Sequence, residues 1–203
     1  MNVSILCAAV YAALFCYREP HWAGGVTKTA STAILALIAF ASLNFGLTLA
    51  LAFSAAGDFA LSRKGERWFM VGLTAFALAH AVYIALMAGA GMPPLAAIIT
   101  LGLLALSSMW WLLPYTGPLR LPVAIYVLLI TAMGLAAWGH DGNWLLRMGA
   151  SLFIASDVIL AWHLFRARAP SAPRQIALWV LYYTGQVALM AALIGQRTFH
   201  LPS

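Results

Sequence analysis

Charged residues are scarce in this chain. Of its 203 residues, 64% are hydrophobic and only 8% are Asp, Glu, Lys or Arg. A soluble domain carries about a quarter charged residues, so this composition excludes an ordinary soluble protein and indicates an integral membrane protein. The net charge of +6 does not point to nucleic acid, because the eleven Lys and Arg residues are scattered through short loops and form no basic face.

Cysteines and the motifs of soluble enzymes are also scarce. Cys7 and Cys16 lie in one apolar segment on opposite faces of a helix, so they cannot bridge each other. The chain has no G-x-S-x-G, no H-E-x-x-H and no Gly-rich phosphate loop. A metal site from Asp58, Asp157 and His80 would draw its ligands from three helices, and no known metal-ligand spacing links these residues in the sequence. We therefore expect no metal and no cofactor.

The chain has instead eight apolar runs. At 1.5 Å per residue, crossing about 30 Å of hydrocarbon takes roughly 20 residues. Long apolar runs in which apolar and polar residues do not alternate predict helices rather than barrel strands. The predicted fold class is an all-α membrane protein with eight transmembrane helices in a single domain, residues 1–203. The predicted helices are 3–17, 28–42, 45–62, 68–88, 95–113, 121–138, 144–165 and 175–195.

Positive charge predicts the orientation of these helices. Nine of the eleven Lys and Arg residues fall in the turns after helices one, three, five and seven, and only Arg147 and Arg197 fall on the opposite side. By the positive-inside rule both termini lie outside the cytoplasm, and we expect the inner membrane of a bacterium as the location. The nine residues are Arg18, Lys28, Arg63, Lys64, Arg67, Arg120, Arg166, Arg168 and Arg174.

Two of the five acidic residues, Asp58 and Asp157, lie inside predicted helices three and seven. An ionisable group at bilayer depth costs a few kcal/mol, so it is retained where it faces a protein interior or a wet cavity. Residues 51–61 are echoed by residues 150–160, and both carboxylates fall in the cytoplasmic half of the membrane. Two parallel four-helix repeats would bring them face to face, although an echo this short also fits two unrelated halves.

Polar side chains on neighbouring helices could join the aspartates. Ser54 is four residues before Asp58 and shares its face. Lys28 begins the second helix at about their depth, where a Lys is more often an interfacial anchor than part of a site. An intramembrane His or Gln is more often a hydrogen-bond partner between helices than a catalyst, so the other polar residues are predicted to bind substrate or support the site. They are His80, Tyr83, Ser156, Tyr182, Tyr183 and Gln186.

The segments around these residues resemble a known family. Residues 51–58 resemble the L-x-F-S-x-x-G-D segment of the YhhN-like lysoplasmalogenase family of eight-helix membrane proteins. Lys28 corresponds to the Lys of a K-P pair, with Thr29 in place of the proline. Three further segments match in order: 72–83 resembles G-L-x-x-F-x-x-A-H-x-x-Y, 149–157 resembles G-A-x-L-F-x-x-S-D, and 182–186 resembles Y-Y-x-x-Q.

The resemblance implies hydrolysis of the vinyl ether bond of lysoplasmalogens, which gives a fatty aldehyde and glycerophosphoethanolamine or glycerophosphocholine. Enol ethers hydrolyse by proton transfer to the β-carbon, and water captures the oxocarbenium ion that results. Asp58 and Asp157 suit this chemistry as a protonated general acid and an ionised partner, but the two roles are not divided between them. Lys28 or cytoplasmic arginines would hold the phosphate. The expected partners are the lysophospholipid substrate and membrane lipid, with no nucleic acid.

Two other functions fit the same residues. A small proton-coupled transporter or a lipid-binding membrane protein would use the aspartates as a proton relay, and intramembrane acids are as natural there. The aspartates could instead only fix helix packing by pairing with Lys28 and with Tyr or Gln partners. Substituting them would then lower thermal stability rather than activity.

Overall fold

A computed structural model describes residues 1–18, 21–167 and 169–198, with no side-chain detail for 196–198. Within these residues the chain forms eight α-helices and no strand, which confirms the predicted all-helical fold. Two short 3-10 helices, Leu113–Tyr115 and Gly117–Leu119, link the fifth helix to the sixth. The α-helices are α1 (Asn2–Leu14), α2 (Trp22–Ala41), α3 (Phe45–Leu61), α4 (Glu66–Leu86), α5 (Leu95–Trp111), α6 (Arg120–Trp138), α7 (Trp144–Phe165) and α8 (Ala172–Thr198).

Six of the described helices, α2 and α4 to α8, are long and apolar enough to cross a membrane. Helix α5 reaches this length together with the 3-10 turn that follows it, as the span Leu95–Tyr115. The two shorter apolar helices are α1, with 13 residues, and α3, with 17. At 1.5 Å per residue α3 is about 25 Å long and close to the hydrocarbon thickness, whereas α1 reaches only about 20 Å. The protein is an integral membrane protein, and the crossing of all eight helices stays a prediction. Arg168 and the side chain of Arg197 lie outside the described residues.

The second helix begins six residues earlier than predicted. The His21 side chain caps it by accepting a hydrogen bond of 3.2 Å from the backbone N–H of Gly24. Gly24 and Gly25 are therefore helical rather than part of a turn. A Cβ atom on Gly25 would lie 3.0 Å from the Cβ atom of Ser62, so the bare backbone lets α2 approach the end of α3. Lys28 consequently lies in the second turn of α2, inside the bundle.

Helices α3 and α7 begin in the same way. Asn44 and Asn143 cap them, and each side-chain oxygen accepts a hydrogen bond from the backbone N–H three residues further on, at 3.2 and 3.1 Å. Asp58 and Asp157 each follow their capping Asn by fourteen residues, so the two carboxylates lie at the same depth along their helices. This correspondence fits two parallel repeats, which stay a prediction.

Helix packing brings the two halves together around α3 and α7. Helix α3 packs on α2 and α4, and α7 packs on α6 and α8. The last helix of each half also crosses to the other half, since α4 contacts α6 and α8 contacts α1, α2 and α3. Each aspartate can therefore receive partners from both halves. Cys7 and Cys16 are both free thiols, as predicted.

Candidate active site

A cavity of about 500 Å³ opens at the end of the bundle where α1, α3 and α7 finish and α2 and α8 begin. We call it the polar chamber, because Lys28, Asp58 and Asp157 line it. Arg18 and Lys64 also border it. This is the end that the positive-inside rule predicts to face the cytoplasm, and that orientation stays a prediction. The two aspartates therefore border one cavity, although they belong to different helices.

Asp58 is fully buried and is held by donors from two neighbouring helices. On α2, the ammonium Nζ of Lys28 lies 3.2 Å from Oδ1, and the Thr32 hydroxyl donates to Oδ2 at 2.7 Å. On α8, the Tyr182 hydroxyl donates to Oδ2 at 2.8 Å. A buried charge is tolerated when it is both paired and hydrogen-bonded, and this environment meets both conditions for a carboxylate.

Lys28 is an interior ion-pair partner rather than an anchor at the membrane interface. Its side chain is only 13% exposed. Its Nζ also lies 5.8 Å from the ring centroid of Trp179 and 6.0 Å from that of Tyr182, at the outer limit of a cation–π contact. The position follows from the early start of α2, which carries Lys28 a full turn into the bundle.

A line of hydrogen bonds supports Tyr182 from behind. The Gln186 side chain donates through Nε2 to the Tyr182 hydroxyl at 3.3 Å and accepts from the Tyr83 hydroxyl through Oε1 at 2.7 Å. All three side chains are buried. Because Gln186 donates to the Tyr182 oxygen, the single Tyr182 proton remains directed at Asp58. Tyr83 and Gln186 thus orient the hydroxyl that contacts Asp58 and do not reach the chamber themselves.

Asp157 has a different environment. The Tyr126 hydroxyl donates to its Oδ2 at 2.5 Å, and the Ser156 hydroxyl lies 3.4 Å from Oδ1. That hydroxyl also donates to the Phe153 carbonyl at 2.7 Å, so its bond to Asp157 is the weaker of the two. Among the residues that the structure describes, no Lys or Arg lies within 4.0 Å of this carboxylate. Oδ1 therefore keeps capacity for a proton or a ligand.

His80 holds Tyr126 in place. Its Nε2 lies 3.0 Å from the Tyr126 oxygen. With the one Tyr126 proton directed at Asp157, Nε2 must donate to the Tyr126 oxygen, which assigns the imidazole proton to Nε2. Nδ1 is buried and has no hydrogen-bond partner among the described residues. His80 on α4, Tyr126 on α6 and Asp157 on α7 thus form one hydrogen-bonded line. His80 was predicted to support the site, and in the structure it contacts Asp157 only through Tyr126.

Ser54 and Tyr183 are not brought to the polar chamber. The Ser54 hydroxyl donates to the Ala50 carbonyl of its own helix at 3.0 Å. The Tyr183 hydroxyl shares a hydrogen bond of 2.6 Å with Ser4 and joins α8 to α1. Consecutive helical residues point about 100° apart, so Tyr183 cannot share the direction of Tyr182. Ser156, by contrast, does line the chamber.

Three residues at the site were not predicted from the sequence: Thr32, Tyr126 and His21. Thr32 is four residues after Lys28 and so on the same face of α2, a signal that was available. Tyr126 lies in the second turn of α6. From the sequence alone, a Tyr so near a helix end is interpreted as an interfacial aromatic, because its partner on α7 is not known. His21 lines the chamber, because a helix begins where a turn was expected.

Known proteins similar to this chain include several lysoplasmalogenases. Human lysoplasmalogenase TMEM86A is 31% identical over 159 residues, which cover 72% of this chain and 64% of the relative. Pig lysoplasmalogenase TMEM86B is 32% identical over 184 residues, covering 84% and 75%, and the rat TMEM86B is 31% identical over 182 residues, covering 84% and 73%. No solved structure gives a significant match. The model of the YhhN family matches residues 24–193, and the chain belongs to this family.

Proposed function

We propose that this protein is a lysoplasmalogenase, which hydrolyses the vinyl ether bond of 1-alkenyl lysophospholipids to a fatty aldehyde and glycerophosphoethanolamine or glycerophosphocholine. The observation that carries the proposal is the pair of intramembrane carboxylates, Asp58 and Asp157, that border one polar chamber. The relatives named lysoplasmalogenase, at about 30% identity over most of the chain, give the substrate class.

Asp157 is proposed as the general acid. Its Oδ1 has only a weak contact with Ser156, and no cation is paired with it in the described part of the chain. A protonated Oδ1 would deliver its proton to the β-carbon of the vinyl ether, where the electron pair of the double bond forms the new C–H bond. The ether oxygen then shares the positive charge as an oxocarbenium ion, and Asp157 is left as a carboxylate.

Water completes the reaction. It adds to the carbon bound to the ether oxygen and gives up one proton to the Asp157 carboxylate, which restores the acid and leaves a hemiacetal. Collapse of the hemiacetal breaks the bond to the glycerol oxygen, moves the hydroxyl proton to that oxygen and releases the aldehyde. One water is consumed, and a single residue acts first as acid and then as base, as in retaining glycoside hydrolysis.

Asp58 is proposed as the ionised partner. Its charge is held by Lys28, Thr32 and Tyr182 at fixed positions, and preorganised groups of this kind stabilise charge that develops in a transition state. The Lys28–Asp58 pair would also orient the attacking water at the floor of the chamber. Because Lys28 is committed to Asp58, the substrate phosphate is assigned to the mouth of the chamber, where Arg18 lies.

Aldehyde release tests the proposal. Purified protein in detergent would be given 1-alkenyl lysophospholipid and, as matched controls, the 1-alkyl and 1-acyl lysophospholipids with the same headgroup. We expect fatty aldehyde from the alkenyl lipid alone. Fatty acid release from the acyl lipid, or no release from any of them, would refute the lysoplasmalogenase proposal. Solute uptake into proteoliposomes that follows a pH gradient without aldehyde release would favour the proton-coupled transporter instead.

A further inference from the structure

A second cavity lies on the other side of α7 from the polar chamber. It has a volume of about 90 Å³ and is bordered by the end of α3 and by α4, α5, α6 and α7, with side chains such as Leu104, Ala105, Val127 and Ile130. We call it the apolar crevice.

Apart from Tyr126 and Asp157, the polar side chains that line the crevice in the described part of the chain make hydrogen bonds within their own helices. The Ser108 hydroxyl donates to the Ala105 carbonyl at 2.6 Å, and the Thr131 hydroxyl donates to the Val127 carbonyl at 2.7 Å. Both hydroxyls are thus satisfied by their own helices. The lining is therefore apolar in its chemistry, and its natural occupant is hydrocarbon.

Asp157 lies at the boundary between the two cavities. It lines the polar chamber and the apolar crevice, together with Leu61, Phe76, Leu160 and Leu164. Asp58 and Lys28 line the chamber only. The proposed proton donor therefore stands where a polar cavity and an apolar one meet.

The length of the crevice suits one hydrocarbon chain. On α5 its lining runs from Leu101 to Trp111, with Leu112 directly after the helix, and on α7 from Ile154 to Phe165. Eleven residues at 1.5 Å each give about 16 Å, close to the depth of one leaflet, which is half of about 30 Å.

We propose that the apolar crevice binds the alkenyl chain of the substrate while the polar chamber binds the glycerophosphate headgroup, so that the vinyl ether between them is presented to Asp157. The inference rests on the proposed function and adds the division of the substrate between two subsites. The vinyl ether is the junction between the polar and apolar parts of a lysoplasmalogen, and Asp157 is the junction between the two cavities.

Filling the crevice tests this assignment. Ala105→Phe adds a ring to the α5 wall of the crevice, whereas Ala96→Phe adds the same ring at an exposed position of α5. With Ala105→Phe we expect kcat/KM for a sixteen-carbon alkenyl substrate to fall about tenfold or more relative to a six-carbon one. Ala96→Phe should leave the ratio unchanged. An equal change for both chain lengths, or none, would overturn the proposal.

A binding experiment keeps the assignment testable even if no hydrolysis occurs. A saturated 1-alkyl lysophospholipid that carries a photoreactive diazirine at its chain end would be crosslinked to the whole protein. We expect label on the crevice-lining residues of α5 and α6, and its loss in Ala105→Phe or in the α7 variant Ala161→Phe. Label confined to α1 and α8 would contradict the crevice assignment, whereas absence of aldehyde release from the wild type would contradict only the proposed function.

Discussion

Lys28 and Asp58 form an ion pair inside the bundle, with Nζ 3.2 Å from Oδ1 and the carboxylate fully buried. The early start of α2 places Lys28 at this depth, and Thr32 and Tyr182 complete the donors around the same carboxylate. A pair of this kind has two separable effects. It stabilises the fold only while both partners are present, and it fixes a negative charge at the floor of the polar chamber.

Removing one partner should cost more stability than removing both. Lys28→Met leaves an uncompensated buried carboxylate and should cost about 3–5 kcal/mol, whereas Lys28→Met combined with Asp58→Asn should recover part of that loss. Thermal unfolding of the single and double variants in one detergent measures this. Strictly additive losses would show that the pair is not coupled. Restored stability without restored activity in the double variant would rule out a role of Asp58 in packing alone.

Two adjacent tyrosines provide a matched comparison. Tyr182→Phe removes a hydrogen bond to a charged group, worth about 1.5–3 kcal/mol, and should lower kcat about ten- to a hundredfold. Tyr183→Phe removes only the bond to Ser4 and should leave kcat within about twofold. Aldehyde release by the two purified variants at saturating substrate makes the comparison. Equal losses in both would show that the hydroxyl on Asp58 has no special part in turnover.

Tyr126 is expected to position Asp157. Tyr126→Phe removes the 2.5 Å hydrogen bond and should lower kcat by about tenfold or more with little change in KM. His80→Phe should reproduce part of this loss, since His80 acts through the Tyr126 oxygen. Tyr115→Phe is the control, because Tyr115 is 53% exposed and lies outside both cavities. Normal turnover in Tyr126→Phe would argue against Asp157 as an oriented acid.

The sequence predicted the parts of the site that depend on single, unusual residues. Asp58 and Asp157 stood out because acids are rare in apolar runs, and the spacing of charges and turns predicted the same half of the membrane for both. Their equal depth became apparent only from the matching Asn caps of α3 and α7. The partners of the aspartates were harder to predict. Thr32 and Tyr126 are ordinary residues for membrane helices, and their role depends on which residue of the neighbouring helix they contact. Helix starts also depend on local capping, which is why Gly24 and Gly25 suggested a turn.

Close packing at one glycine should matter for the site. A Cβ atom on Gly57 would lie 2.6 Å from the Phe76 ring, and Phe76 borders both cavities. Gly57→Ala should therefore cost about 1–3 kcal/mol through overpacking and lower activity as the ring shifts. Gly102→Ala, where an added Cβ meets open space, should be neutral or stabilising by up to about 1 kcal/mol. Thermal unfolding of both variants measures the change in stability, which should be a loss for Gly57→Ala and no loss for Gly102→Ala.

Asp157 is proposed to deliver the proton that starts the reaction. The most direct measurement is single-turnover aldehyde release from 1-alkenyl lysophospholipid by Asp157→Asn, compared with wild type at equal binding of the saturated 1-alkyl analogue. Because the amide cannot donate a carboxylic proton, we expect the rate to fall by about a hundred- to ten-thousandfold while the analogue still binds. Aldehyde release within about tenfold of wild type by this variant would show that Asp157 is not the proton donor.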